Sequence, residues 1–283
     1  MRKLPSILLL ACGIAIQALV SCSSPSSEEE TPKSSSSVAK IPSSSSSSLD
    51  CSTISSSSIS ENLCSDFDPE AEIEHYGKMK KQFCDERDGQ KYVYVQISEQ
   101  IWMAENLKYA ICGSKCGAEE NYWLKLKDDN SNICDKYGRL YDWHTALTVC
   151  PEGWHLPSDE EWEVLKDFAG NSTAGTKLRT VGNDWACEYS EPLSKISVIQ
   201  SQIIECYDLI EGTDDYGFSA LPGSYGISTG RFYNVGEGGF WWSATEYQDY
   251  AYFLTMRYYF SGVGKLYDWR TNFLSVRCVK DVL

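Results

Sequence analysis

Cys150-Pro-Glu-Gly-Trp-His-Leu-Pro-Ser-Asp-Glu-Glu-Trp-Glu163 reads as a tight turn feeding a capped helix. Ser158 stands at the N-cap and Glu161 at N3, the two halves of a capping box, while Asp159 and Glu160 sit where the helix dipole is positive. Trp162, Leu165 and Phe168 or Ala169 recur on one face, and Gly170 stops the helix. Glu160 and Glu161 therefore have a structural task, and they are not read as a catalytic carboxylate pair. At the far end of the chain Ser275-Val-Arg-Cys-Val-Lys-Asp281 reads as an apolar strand carrying one cysteine, Cys278.

Working outward, Asp88-Gly89 is a turn into the β-forming run Lys91–Ile97, and Ile101-Trp-Met-Ala104 is the return strand of a hairpin. Tyr141 to Val149 predicts a second helix. Beyond Gly170 the chain is polar and loop-rich until Trp241, and Gly223, Gly226, Gly230, Gly236, Gly238 and Gly239 are spaced for turns. Neither a phosphate-binding loop nor a dinucleotide fingerprint is among them. Trp241 to Glu246, Ala251 to Tyr259 and Phe273 to Val279 read as strands of a small antiparallel sheet. The class is α+β: two short helices, small antiparallel sheets, long loops and disulfides.

The N-terminus addresses the chain to export. Arg2 and Lys3 precede an apolar run from Leu4 to Val20, too short for a spanning helix, so residues 1–21 read as a signal peptide. Leu19-Val-Ser-Cys22 resembles a bacterial lipobox, which makes Cys22 the lipid-bearing first residue of the mature protein at the outer membrane or cell surface. Acyl chains contribute about 0.8 kcal/mol per buried methylene, so several hold a protein durably to a membrane. Residues 22–60 are about half serine. They form a disordered tether with an r.m.s. reach of about 35 Å. Residues 61–84 are read as a transition, a short helical or loop segment. The globular domain is assigned to 85–283.

With the signal removed, 23 basic residues face 40 acidic ones, a balance of −17 that argues against nucleic acid as a partner. Of twelve cysteines, Cys12 leaves with the signal and Cys22 takes lipid. The even remainder in an exported chain points to disulfides, with connectivity open from spacing alone. Cys112-Gly-Ser-Lys-Cys116 has the spacing of half a zinc site, but no second half follows. No metal and no cofactor is assigned.

Seven ordered blocks carry a resemblance. They are Asp85–Gln90, Gln100–Leu107, Gly138–Trp143, Cys150–Trp162, Gly217–Gly223, Trp241–Glu246 and Ser275–Asp281. Together they resemble the Fibrobacter succinogenes major paralogous domain, which implies an exported, often lipid-anchored surface protein without an established activity. His155-Leu-Pro-Ser-Asp-Glu-Glu-Trp-Glu163 and the closing Ser275–Val279 are more distantly similar to the formylglycine-generating enzyme superfamily, which implies a C-type lectin-like mixed fold. Cys150 and Cys278, in the two strongest blocks, are expected to be joined, with Cys187 and Cys206 the second pair.

Three functions follow from these readings. The first is a surface-anchored, non-catalytic binding or adhesion module for plant-wall or surface glycans; the second is a structural envelope or protein-interaction component. The third, a glycan-active enzyme, lacks a motif, and between Cys206 and Cys278 there is no cysteine for formylglycine-generating chemistry. Calcium-dependent sugar binding is weakened because Glu191-Pro192 is followed by Leu193 and Asn183-Asp-Trp185 runs in the wrong order. The acidic loops at 128–132 and 214–215 lack EF-hand spacing. Trp241 and Trp242 are adjacent on a strand, so their side chains point to opposite faces. One is expected to be inward. The other is expected to join Tyr225, Tyr233 and Trp269 in an aromatic ligand platform.

Overall fold

The computed structural model describes residues 63–117, 133–182, 184–185 and 208–281, and the backbone of 196–199 and 202–205. The signal at 1–21, Cys22 with the rest of the 22–60 tether, the acidic loop at 128–132, and Cys187 and Cys206 lie outside the described residues.

Two sheets carry the domain. The first has the spatial order β1 (Glu72–His75), β2 (Lys78–Cys84), β3 (Lys91–Ile97), β4 (Gln100–Met103), β15 (Val279–Lys280), β6 (Trp154–His155), all antiparallel. The chain's last strand thus closes on its first hairpins. The second has the order β13 (Gly264–Trp269), β12 (Tyr250–Arg257), β11 (Gly238–Tyr247), β14 (Leu274–Ser275), β5 (Leu140–Tyr141), with only β11 and β14 parallel. Two ribbons, β7 (Ile196–Ile199) with β8 (Gln202–Glu205) and β9 (Gly223–Gly226) with β10 (Phe232–Val235), complete the strands. The helices are short: α1 (Ile133–Tyr137), α2 (Trp143–Ala146), α3 (Asp159–Phe168) and α4 (Ala174–Leu178). The protein is mostly sheet, and none of the described helices is long and apolar enough to cross a membrane.

Helix α3 starts where its capping box places it: the Ser158 hydroxyl accepts from Glu161 N at 3.3 Å, and Ser158 N donates to the Glu161 carboxylate at 2.8 Å. Trp162, Leu165 and Ala169 are buried, whereas Phe168 is exposed. The helix expected at 141–149 is much shorter. Tyr141 is held in β5 opposite Leu274, and Asp142 then caps a single turn.

The segment 61–84 is not a helical or loop transition. It contains the β1–β2 hairpin, so among the described residues regular structure begins at Glu72 rather than near Asp85. Tyr76 and Gly77 both have positive φ, 50° and 74°, the backbone of a two-residue hairpin turn.

At β11 the second sheet is covered on both faces. Trp241 packs in one core with Trp102, Trp162 and Leu254, and Trp242 in another with Trp143, Phe240 and Phe253. Strand β11 is consequently buried from Gly238 to Ser243 without polar alternation.

Between these cores lies a buried polar knot. The Asn106 side-chain carbonyl accepts from Trp241 Nε1 at 2.7 Å and from Arg277 Nε and Nη2 at 3.1 and 2.9 Å, and its amide donates to Tyr137 O at 2.8 Å. Arg277 also donates to Phe218 O and lies 4.3 Å over the Phe218 ring. Burial lowers its pKa to about 9. Ser219, at φ 53°, donates its N–H and hydroxyl to the buried Asp214 carboxylate at 2.7 and 2.6 Å and accepts from Lys80 Nζ at 2.6 Å. Lys80, its pKa lowered to about 8 by burial, also donates to His75 Nδ1 at 2.9 Å.

Disulfides join Cys64 to Cys84, Cys116 to Cys134 and Cys150 to Cys278, and Cys112 is disulfide-bonded as well. The Cys112 and Cys116 thiolates are therefore not free to bind metal. Cys150–Cys278 closes 128 residues of chain. In the chain-entropy model a loop of that length contributes about 5 kcal/mol.

Asn106→Ala removes the shared acceptor and leaves the buried Arg277 Nε–H and the Trp241 indole N–H unpaired. The expected cost is about 3–5 kcal/mol in denaturant unfolding with an unchanged m-value.

His155 lies between two carboxylates, with Nδ1 2.5 Å from Asp281 and Nε2 2.8 Å from Glu161. Neutral imidazole has one N–H, so both bonds form only with the protonated ring. Burial opposes the charge, but the hydrogen bonds to Asp281 and Glu161 prevail and raise the pKa. Because the folded value lies above the unfolded one, the stabilisation is fully present below the ordinary histidine range and disappears as pH rises through the folded value. His155→Gln should therefore lower the melting temperature at about pH 5.5 and leave it nearly unchanged at about pH 9.

Candidate ligand-binding surface

Strand β13 is the edge of the second sheet, and its alternating side chains serve two surfaces. Tyr267 and Trp269 point to one face, and the register sets them opposite Tyr252 and Tyr250 of β12. The rings touch in a continuous strip. Trp269 lies 4.4 Å from Tyr250, Tyr250 lies 5.3 Å from Tyr267, and Tyr247 lies 4.7 Å from Tyr267 and 5.2 Å from Tyr252. Tyr267 and Trp269 are more than half exposed, at 52% and 55%.

The strip occupies the stretch of sheet beyond the helix-covered core. On the same face Trp241 and Leu254 are sealed by Trp162 and Leu165 of α3, and Lys265 marks the border, donating to Asp159 at 2.8 Å. Strand β11 bulges between Trp242 and Glu246. There Ser243 O accepts from Trp143 Nε1 at 2.8 Å and Ala244 N donates to Pro157 O at 2.9 Å, after which the strand rejoins β12 with Tyr247 opposite Tyr250. Arg270 holds the end of the strip. It donates to Tyr250 O at 3.1 Å, Gln248 O at 2.6 Å and Glu246 at 3.0 Å, with its guanidinium 4.6 Å over Trp143. A ring array fixed in this way loses little entropy when a flat ligand lies on it.

The other face of β13 borders an open groove of about 430 Å³. Its lining is apolar, with Tyr225, Phe240, Phe253 and Leu266, and its polar groups are Arg257 and Asp268. Tyr225 stacks against Phe240 at 5.0 Å and Tyr233 at 5.5 Å.

The structure separates the residues expected to form one platform. Trp269 belongs to the strip, while Tyr225 belongs to the groove on the opposite face of β13, with Tyr233 stacked against it. Trp241 and Trp242 take no part. Their side chains do point to opposite faces, but each face has its own core, and both are fully buried with their indole N–H groups bonded to Asn106 and to Tyr141 O. The strip's other rings carry a signal visible in the chain, Tyr250-x-Tyr252 and Tyr267-x-Trp269, the two-residue period of a single strand face.

A second cleft, of about 360 Å³, is lined by Glu74, His75, Glu105 and Lys136. Burial and the neighbouring Lys80 lower the His75 pKa to about 4, which keeps the ring neutral as an acceptor for that lysine. Ser219 beyond it is fully buried, and its hydroxyl proton is committed to Asp214. It belongs to the polar knot and not to a surface that a substrate reaches.

Burial separates the two kinds of tryptophan energetically. Trp241→Ala and Trp242→Ala should each cost about 3–5 kcal/mol of stability. Tyr267→Ala and Trp269→Ala should cost under about 1 kcal/mol, read as melting temperatures of the four variants.

No curated protein and no solved structure matches this chain. The model of the Fibrobacter succinogenes major domain matches residues 95–280, which takes in the strip, the groove and most of the buried knot, and leaves the β1–β2 hairpin outside. The chain therefore belongs to the Fibrobacter succinogenes major domain family.

Proposed function

We propose that this protein is an exported lipoprotein, anchored at Cys22 and carried on the serine-rich tether of residues 22–60, whose folded domain is a non-catalytic module that binds glycans. The observation that carries the reading is the strip of five aromatic rings on one face of β11–β13, with Trp269 and Tyr267 more than half exposed. Flat rings with their faces open to water are costly to leave uncovered in such number, and a glycan's C–H faces cover them while its hydroxyls remain hydrated. A C-type lectin-like scaffold suits the same role. The last strand pairs beside the first hairpins, and the long excursion between them, from α3 to β13, displays loops and a sheet edge. Anchoring a weak module at high density on a membrane raises its avidity without new contacts.

The test is retention of the detergent-solubilised full chain on insoluble polysaccharides, with envelope protein fractions as the competing partner. Trp269→Ala should reduce polysaccharide retention about 30-fold, the loss expected of a stacking hot spot, while the fold is kept. Undiminished retention of Trp269→Ala would remove the strip from the reading. Exclusive capture by envelope protein would replace the glycan with a protein partner.

A further inference from the structure

The groove on the opposite face of β13 contains a cation without a protein counterpart. Arg257 ends β12, lines the groove, and lies with its guanidinium 4.8 Å over the Phe240 ring. Its backbone carbonyl accepts from Arg179 and from Phe260 N, but among the described residues its side chain forms no hydrogen bond and no ion pair. The arginine at the end of the strip is committed by contrast, Arg270 donating to Glu246 and to two carbonyls. Gly238 makes room for this arrangement. A Cβ there would meet the Phe240 ring at 2.9 Å and Arg257 Cδ at 3.3 Å, so a larger residue would push the ring or the arginine stem aside.

From Arg257 and its surroundings we infer that the groove binds a uronic-acid unit of an acidic polysaccharide, with the sugar carboxylate on Arg257. The inference rests on the glycan reading above and names the sugar class. A planar guanidinium with free donors matches a carboxylate in a two-point fork. The remaining lining suits a pyranose ring: Tyr225 and the half-exposed Leu266 offer apolar surface for its C–H groups. Asp268 accepts from Asn272 at 2.9 Å and Trp269 N at 2.8 Å through one oxygen, which leaves the other to accept from sugar hydroxyls. Asp268 also selects against a more highly charged anion. One arginine balances one carboxylate, whereas a phosphate or sulfate-rich chain brings excess negative charge against the Asp268 carboxylate. The chain's net charge of −15 repels polyanions at long range, but that field is screened beyond about 8 Å at physiological ionic strength, so the contact pair decides.

The experiment measures binding of the detergent-solubilised full chain to polygalacturonate, to the same polymer with its carboxylates methyl-esterified, and to a neutral glucan, each with the parent and with Arg257→Gln. Esterification keeps the sugar and removes the charge, so it tests the pair without touching the fold. The expected result is a loss of about tenfold or more on esterification, and a similar loss for Arg257→Gln on the free acid only. Equal binding of the free acid and the ester, or undiminished binding by a folded Arg257→Gln variant, overturns the inference. If the parent holds the neutral glucan and not polygalacturonate, the uronate assignment fails and the glycan reading stands. If it holds none of the three polymers, both fail.

Discussion

One carbonyl oxygen, that of the Asn106 side chain, is the point on which the domain closes. It takes an N–H from Trp241 and two from Arg277, while the amide on the same side chain reaches Tyr137 O. Trp241 and Arg277 lie 135 and 171 positions from Asn106, and loss of that one carbonyl leaves both with a buried N–H short of its acceptor. A fully buried guanidinium is costly unless every donor is placed, and here carbonyls do most of that placing. Gly138 is part of the same constraint. A Cβ there would meet Asn106 Cβ at 2.6 Å, and its φ of 80° is one that side chains disfavour. Five of the blocks that carry the family resemblance, Gln100–Leu107, Gly138–Trp143, Gly217–Gly223, Trp241–Glu246 and Ser275–Asp281, thus meet physically at this knot.

The β1–β2 hairpin adds to the knot from outside the family's span. Lys80 reaches the Ser219 hydroxyl and His75 accepts from Lys80, so an accessory hairpin is tied to the buried loop that carries Phe218 and Ser219. This is also why the hairpin escapes a reading by hydrophobic period. In β2 Met79 is 60% exposed and Lys80 is 3% exposed, the reverse of what burial of apolar side chains predicts. A lysine buried to serve a polar network looks, in one dimension, like a solvated one. The turn at Tyr76-Gly77 is the only local mark of the hairpin.

Elsewhere the chain was legible where local physics decides. The capping box of α3 and the β3–β4 hairpin follow from residues within a few positions of each other, and the Cys150–Cys278 bond joins the two family blocks of strongest likeness. Legibility fell where long-range packing decides. Trp241-Trp242 has the appearance of one buried and one exposed ring only if the sheet has one dry face, and this sheet has two. Nor does sequence distance separate Tyr225 from Trp269 in the way a sheet edge does. The exposed strip was written in the chain as paired i, i+2 aromatics on β12 and β13, but the bulge in β11 that brings Tyr247 to them depends on Pro157 and Trp143, and no local rule connects these.

Edge strands usually carry charge or irregularity to prevent pairing with another chain. Strand β13 has Lys265 at its start, tied to α3, and Arg270 just past its end, tied to the β11–β12 turn, so both ends of the edge are guarded by cations. Between them the strand remains open and aromatic. Two surfaces of different chemistry, one ring-lined, the other holding the Arg257 guanidinium, are separated by a single strand, and Asp268 and Trp269 are consecutive residues on it. Buried cores on both sides of β11 and β12 keep the strand rigid without using its outer rings. The stability of the domain and the chemistry of its edge are thereby carried by different side chains.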